Sequence, residues 1–266
     1  KADIFCLVDS ENELEIILNH IGGISYSIIG AGSNLLIRDR GYRGLIIKLG
    51  KSFNQLSIQD NKILVGASIL DTNLAKFSYL HSIKNFEFFS GIPGSVGGAI
   101  KMNAGCFGSE TKDVLYNVNV MKKKGEQAII KNDSLNFSYR KSNLENDIVI
   151  CAQFNIEYGH KEEIKDKLNN IKQNRIASQP IITKTSGSTF KNPAGFHAAK
   201  LIEMSGCKEL KVGDAVVSNK HANFLINVNN ATARQIEDLG KQIIEKVYNK
   251  FQVILEWEIK IIGELN

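Results

Sequence analysis

Cysteine pairs are missing from this 266-residue sequence: Cys6, Cys106, Cys151 and Cys207 are scattered, with no CxxC spacing. Without paired thiols or a histidine cluster at zinc spacing, neither a disulfide framework nor a structural metal is expected, and a reducing cytoplasm is the expected compartment. No apolar run approaches the about 20 residues that span a bilayer, and the opening KADIFCLVDSENE lacks the charged-then-apolar layout of a signal peptide, so membrane insertion is not expected. Only three prolines occur, and neither an internal repeat nor a low-complexity tract is present, which excludes a solenoid or an array. A basic block is also missing. The 33 Lys and Arg and 28 Asp and Glu are spread along the chain for a formal charge of +5, so a nucleic-acid partner is not indicated. That modest excess suits a protein that holds phosphates, and equally a solvated surface with spare lysines.

What is present is enough apolar sequence, 43% of residues, for two or three packed units. Ser10 with Glu13 reads as a capping box opening a helix whose Leu14, Ile17, Leu18 and Ile21 share one face. A strand over 25–29 follows, then LLIRD, GLIIKL, QLSIQ and KILVGA, short runs broken by Gly, Asp and Asn as in a mixed or antiparallel sheet. A second helix begins at Asp71 and runs through Leu74 and Phe77 to Leu80, and residues 113–158 return to strands. From Lys161 the spacing of Ile164, Leu168 and Ile171 predicts a helix, which places a boundary near Gly159. Beyond it come a helix near 196–204, a strand in HANFLINV, and a longer helix in which Thr232 and Gln235 form another capping box ahead of Ile236, Leu239, Ile243, Val247 and Phe251. VILEWEIKIIG reads as a closing strand.

Two glycine-rich segments carry the chemistry. In GAGSN, Gly30 and Gly32 flank Ala31, and Ser33 and Asn34 offer side-chain hydrogen bonds before Leu35 resumes an apolar run. Glycine lets backbone N–H groups reach a phosphate with no Cβ in the way. A dinucleotide fingerprint needs a third glycine opening a helix, which is absent, so taken alone this segment reads as a tight turn between strands. LIIKLGKS imitates a P-loop, but Leu45 stands where the first glycine is required. GIPGSVGGAIKMNAGCFGSE is more informative, with six glycines and Pro93 stiffening its entry. A glycine inside a helix costs about 1 kcal/mol relative to alanine, so no regular element is expected here. A row of N–H groups offered to an extended pyrophosphate, with Ser95 and Asn103 as further donors, would offset that loss.

The pair GxGSNLL and GIPGxxGGAxxMNAG resembles the FAD-binding signature of the UDP-N-acetylenolpyruvoylglucosamine reductases. FSYRKS at 137–142 is similar to that family's YRxS element, GSTFKNP at 187–193 to its GSxFKNP, AAKLIEMSG and SNKHANFLIN to its C-terminal domain, and LEWEIKIIGE to its LEPEVRxIGE ending. The resemblance implies an α+β chain with an FAD-binding domain of the vanillyl-alcohol-oxidase type in two subdomains, 1–50 and 51–158, and a C-terminal α+β substrate-binding domain, 159–266. It implies that NADPH reduces non-covalently held FAD, and that the enolpyruvyl group of a UDP-sugar substrate takes up hydride to give UDP-N-acetylmuramate, a peptidoglycan precursor, in a cytoplasmic monomer. The sequence lacks the insertion bearing a substrate-clamping tyrosine and resembles the shorter, second type of the family.

The resemblance assigns FAD contacts to Gly30, Ala31, Gly32, Ser33, Asn34 and Leu35, and in the second segment to Ile92, Pro93, Gly94, Ser95, Gly97, Gly98, Asn103, Ala104 and Gly105. It assigns Arg140 to the substrate carboxylate, Glu258 to stabilising the charge that develops there, and Ser188 to proton donation. Tyr139, Lys191, Asn192 and His221 are further expected substrate contacts, and Arg175 is one on charge alone. Each has a plainer use: an arginine near a strand end suits a surface ion pair, a glycine-flanked serine a turn, and a histidine beside an apolar strand a structural contact. Glu256 and Glu258 would share a strand face, where a like charge and partial burial would raise a carboxyl pKa, unless Lys260 cancels the repulsion. Trp257 stands where the family commonly has proline. A flavin-dependent oxidase of alcohols or sugars, and a nucleotide-sugar binding module without turnover, are the rival readings.

Overall fold

The alternating runs become strands in the computed structural model, which describes residues 1–264. In chain order its elements are β1 (Ala2–Val8), α1 (Glu11–His20), β2 (Tyr26–Ile29), β3 (Leu35–Ile37), β4 (Tyr42–Leu49), β5 (Leu56–Gln59), β6 (Lys62–Gly66), α2 (Asp71–Leu80), α3 (Val96–Met102), β7 (Gly105–Cys106), β8 (Ser109–Glu110), β9 (Leu115–Met121), β10 (Gln127–Lys131), β11 (Ile148–Asn155), α4 (Lys161–Ser178), α5 (Ala198–Met204), β12 (Lys211–Val212), β13 (Ala215–Val217), β14 (Leu225–Asn227), α6 (Ala233–Phe251) and β15 (Lys260–Ile262). Contacts divide the chain into two units. An N-terminal unit holds Ile4–Ala31 and Gly44–Gln173; a C-terminal unit holds Lys1–Asp3, Gly32–Arg43 and the chain from Asn174 onward.

In the N-terminal unit β10, β9, β11, β6 and β5 form an antiparallel sheet in that order, and β1, β4 and β2 a smaller one in which β2 and β4 run parallel. The β5–β6 hairpin turns on Asp60 and Asn61, both at positive φ, the backbone that matches the twist of a tight hairpin. Phe154 of β11 is fully buried and meets Phe89 edge-on at 6.0 Å and Phe86 at 5.8 Å. Such pairs add about 0.5–1.5 kcal/mol each beyond the area they bury. The Ser10 hydroxyl caps α1 by accepting from the Glu13 amide, while the Glu13 carboxylate accepts from Asp9 N–H, one residue earlier than the capping box predicts. α4 buries Ile164 and Ile171, and a Cβ on Gly91 would lie 3.4 Å from Ile171. Most of α4 therefore belongs to this unit, and the division of contacts falls after Gln173 where the change of periodicity suggests Gly159.

In the C-terminal unit β12, β13 and β14 form an antiparallel sheet, and β3 pairs in parallel with β15. That parallel pair is why residues 32–43 count with the C-terminal unit. α6 starts on the predicted capping box, with Thr232 Oγ1 accepting from Gln235 N–H and Gln235 Oε1 accepting from Thr232 N–H. Asp39 adds a second cap, its carboxylate accepting from Ala233 and Arg234 N–H at 2.9 and 3.2 Å, where the helix dipole favours negative charge. Leu239, Ile243 and Val247 are buried as the stripe requires, and the buried Glu237 accepts two hydrogen bonds from Arg38. The closing strand is shorter than expected. Only Lys260–Ile262 is strand, because residues 256–258 hydrogen-bond instead to the GSTFKNP segment through Lys191 N–H to Glu256 O and Glu258 N–H to Thr189 O, both 2.8 Å.

Candidate active site

The second glycine-rich segment departs from expectation. Residues 96–102 form the helix α3, although Gly97 and Gly98 lie within it. A Cβ on Gly97 would sit 3.0 Å from the Ala67 Cβ and 3.2 Å from its carbonyl, and Gly97 N–H donates to Ala67 O at 2.9 Å. The glycine is required by close backbone approach, and the packing gained offsets its lower helix propensity. The two glycine-rich segments also meet. A Cβ on Gly30 would collide with the Ser95 hydroxyl, while Gly98 faces only that hydroxyl, at 3.6 Å. Backbone without side chains on both segments around one serine is the surface a polyphosphate requires, so these residues fit the FAD they were expected to hold.

Asn103 ends α3 in the left-handed conformation, φ 43°. Its side chain is fully engaged within the protein: Nδ2 donates to Glu110 at 2.8 Å and to the Ser138 carbonyl at 3.2 Å, and Oδ1 accepts from Lys112 N–H. It thus ties the glycine-rich segment to the YRKS turn. That turn closes on paired backbone hydrogen bonds between Ser138 and Lys141, and the buried Ser142 hydroxyl donates to the Lys101 carbonyl of α3. At its tip Arg140 has φ 57°, a conformation that strains a side-chain-bearing residue by about 1–3 kcal/mol and is retained where it serves a purpose. The guanidinium lies over the Tyr139 ring and donates to the Gly105 carbonyl at 3.0 Å. Glu110 is a carboxylate beside this cation that the sequence reading passes over. Burial opposes its ionisation, but hydrogen bonds from Lys112 and Asn103 and the charges of Lys112 and Arg140 overcome that and hold the carboxyl below its usual range.

In the C-terminal unit the segments of Ser188 and Glu258 lie together. Besides the Glu258–Thr189 backbone hydrogen bond, Asn34 Nδ2 donates to the Glu258 carbonyl at 3.1 Å and Lys260 N–H to Asn34 O at 3.0 Å. Ser186 Oγ donates to the Leu35 carbonyl at 3.0 Å, and a Cβ on Gly187, at φ 79°, would lie 3.9 Å from Ser33 O. Residues 33–35, the end of the first glycine-rich segment, are therefore seated against both GSTF and LEWE. Asn223, unmarked by the sequence reading, clamps the same strand: it accepts from Phe190 N–H and donates to Phe190 O, as a neighbouring strand would. Trp257 packs on Phe190 at 5.0 Å and fills the space where Gly240 of α6 has no side chain.

Glu256 takes Lys191 as an ion partner at 3.1 Å. Asn192 Oδ1 accepts from Ala198 N–H and so caps α5. His221 sits edge-on to Phe224, and Phe224 bridges Ser188. Burial, aided by the charge of Lys208, pushes the His221 pKa down and keeps the ring neutral, with a buried Nδ1 that has no hydrogen-bond partner. Arg175 lies in the last turn of α4, Nε donating to Gln179 at 3.3 Å. Among the described residues no group of three or more His, Cys, Asp or Glu could hold a metal, and no helix is long and apolar enough to cross a membrane.

Comparison with known proteins assigns both regions. Residues 2–130 match the model of an FAD binding domain, and residues 179–262 that of the UDP-N-acetylenolpyruvoylglucosamine reductase C-terminal domain. The fold is α+β and the protein is an FAD-binding oxidoreductase. The UDP-N-acetylenolpyruvoylglucosamine reductase of Rickettsia bellii (strain RML369-C) is 40% identical over 269 residues, covering 100% of this chain and 89% of that one. That of Rickettsia conorii is 42% identical over 265 residues, 99% of this chain and 90% of its own. The crystal structure of the enzyme from Thermus caldophilus superposes with a TM-score of 0.86 at 32% identity, covering 97% of this chain and 92% of that one. The chain belongs to the UDP-N-acetylenolpyruvoylglucosamine reductase family.

Proposed function

We propose that this protein uses NADPH to reduce UDP-N-acetylenolpyruvoylglucosamine to UDP-N-acetylmuramate through non-covalently bound FAD, as a cytoplasmic monomer of the family's shorter type that supplies peptidoglycan precursors. The observation that carries this reading is the seating of the Ser188 and Glu258 segments on residues 33–35, the end of an expected FAD contact. When bound, FAD supplies the hydride carrier between the nicotinamide and the enol ether. Gly30 and Gly98 leave the backbone around the Ser95 hydroxyl free of other side chains, where the polyphosphate would lie. Hydride addition at the β-carbon of the enolpyruvyl group builds negative charge toward its carboxylate. Arg140, a fixed planar cation, holds that carboxylate and stabilises the charge, and the strained turn keeps its guanidinium in place before substrate arrives. Glu258 stabilises the same developing charge. Ser188 Oγ delivers the proton to the α-carbon, and Tyr139, Lys191, Asn192, Arg175 and His221 bind the remainder of the UDP-sugar.

The purified protein is then yellow, its flavin absorbance bleaches with NADPH, and the colour returns on adding UDP-N-acetylenolpyruvoylglucosamine. A colourless folded protein, or bleaching that the substrate leaves unreversed, refutes the reading. Ser188→Ala keeps the rate of bleaching while product formation falls about 10²–10⁴-fold, the range of a lost general acid. Equal loss of both half-reactions removes Ser188 from the proton step.

A further inference from the structure

The carboxyl of Asp71 is a buried titratable group pressed against the second glycine-rich segment that none of the above uses. Asp71 opens α2 and is 0% exposed, and neither carboxylate oxygen has a hydrogen-bond partner. It lies behind the segment: Asp71 N–H donates to Gly94 O at 3.1 Å, Val96 N–H donates to Ile69 O at 2.9 Å, and Leu70 bridges Ser95. A Cβ on Gly94 would stand 2.6 Å from Asp71 Oδ2, so the carboxyl occupies the place of a residue-94 side chain. Burial pushes the Asp71 pKa well up, with the facing Gly94 amide opposing part of the rise. A buried carboxyl with two unsatisfied oxygens destabilises a fold and is retained where it performs a task. The next residue, Ser95, is the one on which Gly30 closes.

We propose that Asp71 is a positioning residue for the cofactor: its carboxyl backs Gly94 in place of a side chain and fixes the Gly94–Ser95 backbone in the conformation that receives FAD. This rests on the FAD reading of the segment. It also gives Gly94 a specific reason to be glycine. No positive φ marks that residue, so the constraint is the neighbouring carboxyl.

The test is FAD affinity of the apo-protein by quenching of flavin fluorescence, together with the thermal melt of each FAD-free variant. Absence of FAD binding by the native protein defeats the parent reading; every other comparison is made relative to native affinity. Asp71→Asn, which keeps shape and acceptor, is expected to bind within about threefold of native. Asp71→Ala is expected to bind about tenfold more weakly or worse, the scale of one well-made polar contact, while its FAD-free melt is unchanged or higher. Gly94→Ala is expected to lose at least as much, and Asp71→Ala/Gly94→Ala to bind more tightly than Gly94→Ala alone, because the new methyl enters the vacated space. Native affinity in Asp71→Ala, or a double variant as weak as the two single losses combined, overturns the proposal. Should Asp71→Ala fail to fold, a loss of tenfold or more in folded Asp71→Asn overturns it as well, and affinity within threefold supports it.

Discussion

The two units hold the side chains proposed to react in opposite ways. In the N-terminal unit Arg140 sits at the tip of a two-residue turn at φ 57°, fixed by Asn103, Ser142 and α3 behind it. In the C-terminal unit Ser188 and Glu258 lie on extended segments tied by ladder-like backbone hydrogen bonds, with Phe190 and Trp257 packed between them. The first arrangement stores strain to aim a long cation; the second uses ordinary pairing and packing to hold short groups. A strained residue can be replaced with a gain in stability, whereas a residue inside a packed ladder cannot.

Four substitutions break or sharpen that contrast. The largest effect is expected from Arg140→Lys, which tolerates the turn no worse but loses the planar fork: kcat/KM with the enolpyruvyl substrate falls about 100-fold or more while the flavin content of the purified protein is unchanged. Next is Gly240→Ala, whose methyl would enter the Trp257 ring. Urea unfolding should register a loss of about 1–3 kcal/mol, and adding Trp257→Ala should cost less than the two single losses together. Arg140→Gly comes third. It should raise stability by about 0.5–1 kcal/mol through relief of the left-handed strain even as turnover disappears; a fall in stability would mean that the turn needs the arginine. The smallest effect concerns Asp71. In the unfolded chain an aspartate gives up its proton near pH 4, whereas buried Asp71 keeps it to well above that value. The native state then carries the extra proton, so stability from this residue is full below about pH 4 and declines as pH rises through the window above it. Melting temperatures of the native protein and Asp71→Asn should coincide at the acid end and separate in favour of Asp71→Asn toward neutral pH.

Much of this architecture is legible in the sequence where a local rule decides it. α1, α2, α4 and α6 announce themselves by caps and periodicity, and Asp71–Leu80 and the Thr232–Gln235 capping box appear where the pattern places them. Elements decided by distant partners are not legible. The glycines of α3 argue against a helix until Ala67 is seen against Gly97. β1 escapes notice because Ala2–Val8 leaves Ile4, Phe5 and Leu7 exposed and so lacks an alternating burial pattern. LEWE reads as part of a long strand, but its hydrogen bonds go to GSTFKNP, 65 residues away at the Lys191–Glu256 pair. Of the site, the motifs name Arg140, Ser188 and Glu258, while Glu110, Asn223 and Asp71 carry no local signature, since each matters only through what folds against it.

The pairing of β3 with β15 also sets a timetable. Asn34 and the Glu258 carbonyl it binds are 224 residues apart. On a ribosome adding about 5–20 residues per second, residues 32–43 are made roughly 10–45 s before their partner strand exists. The sheet of the N-terminal unit can close during that interval, but Leu35, Leu36 and Ile37 must wait as an unpaired apolar segment. A stall between the completion of the N-terminal unit at Gln173 and the synthesis of Glu258 therefore leaves that unit able to fold with its first glycine-rich segment only half assembled.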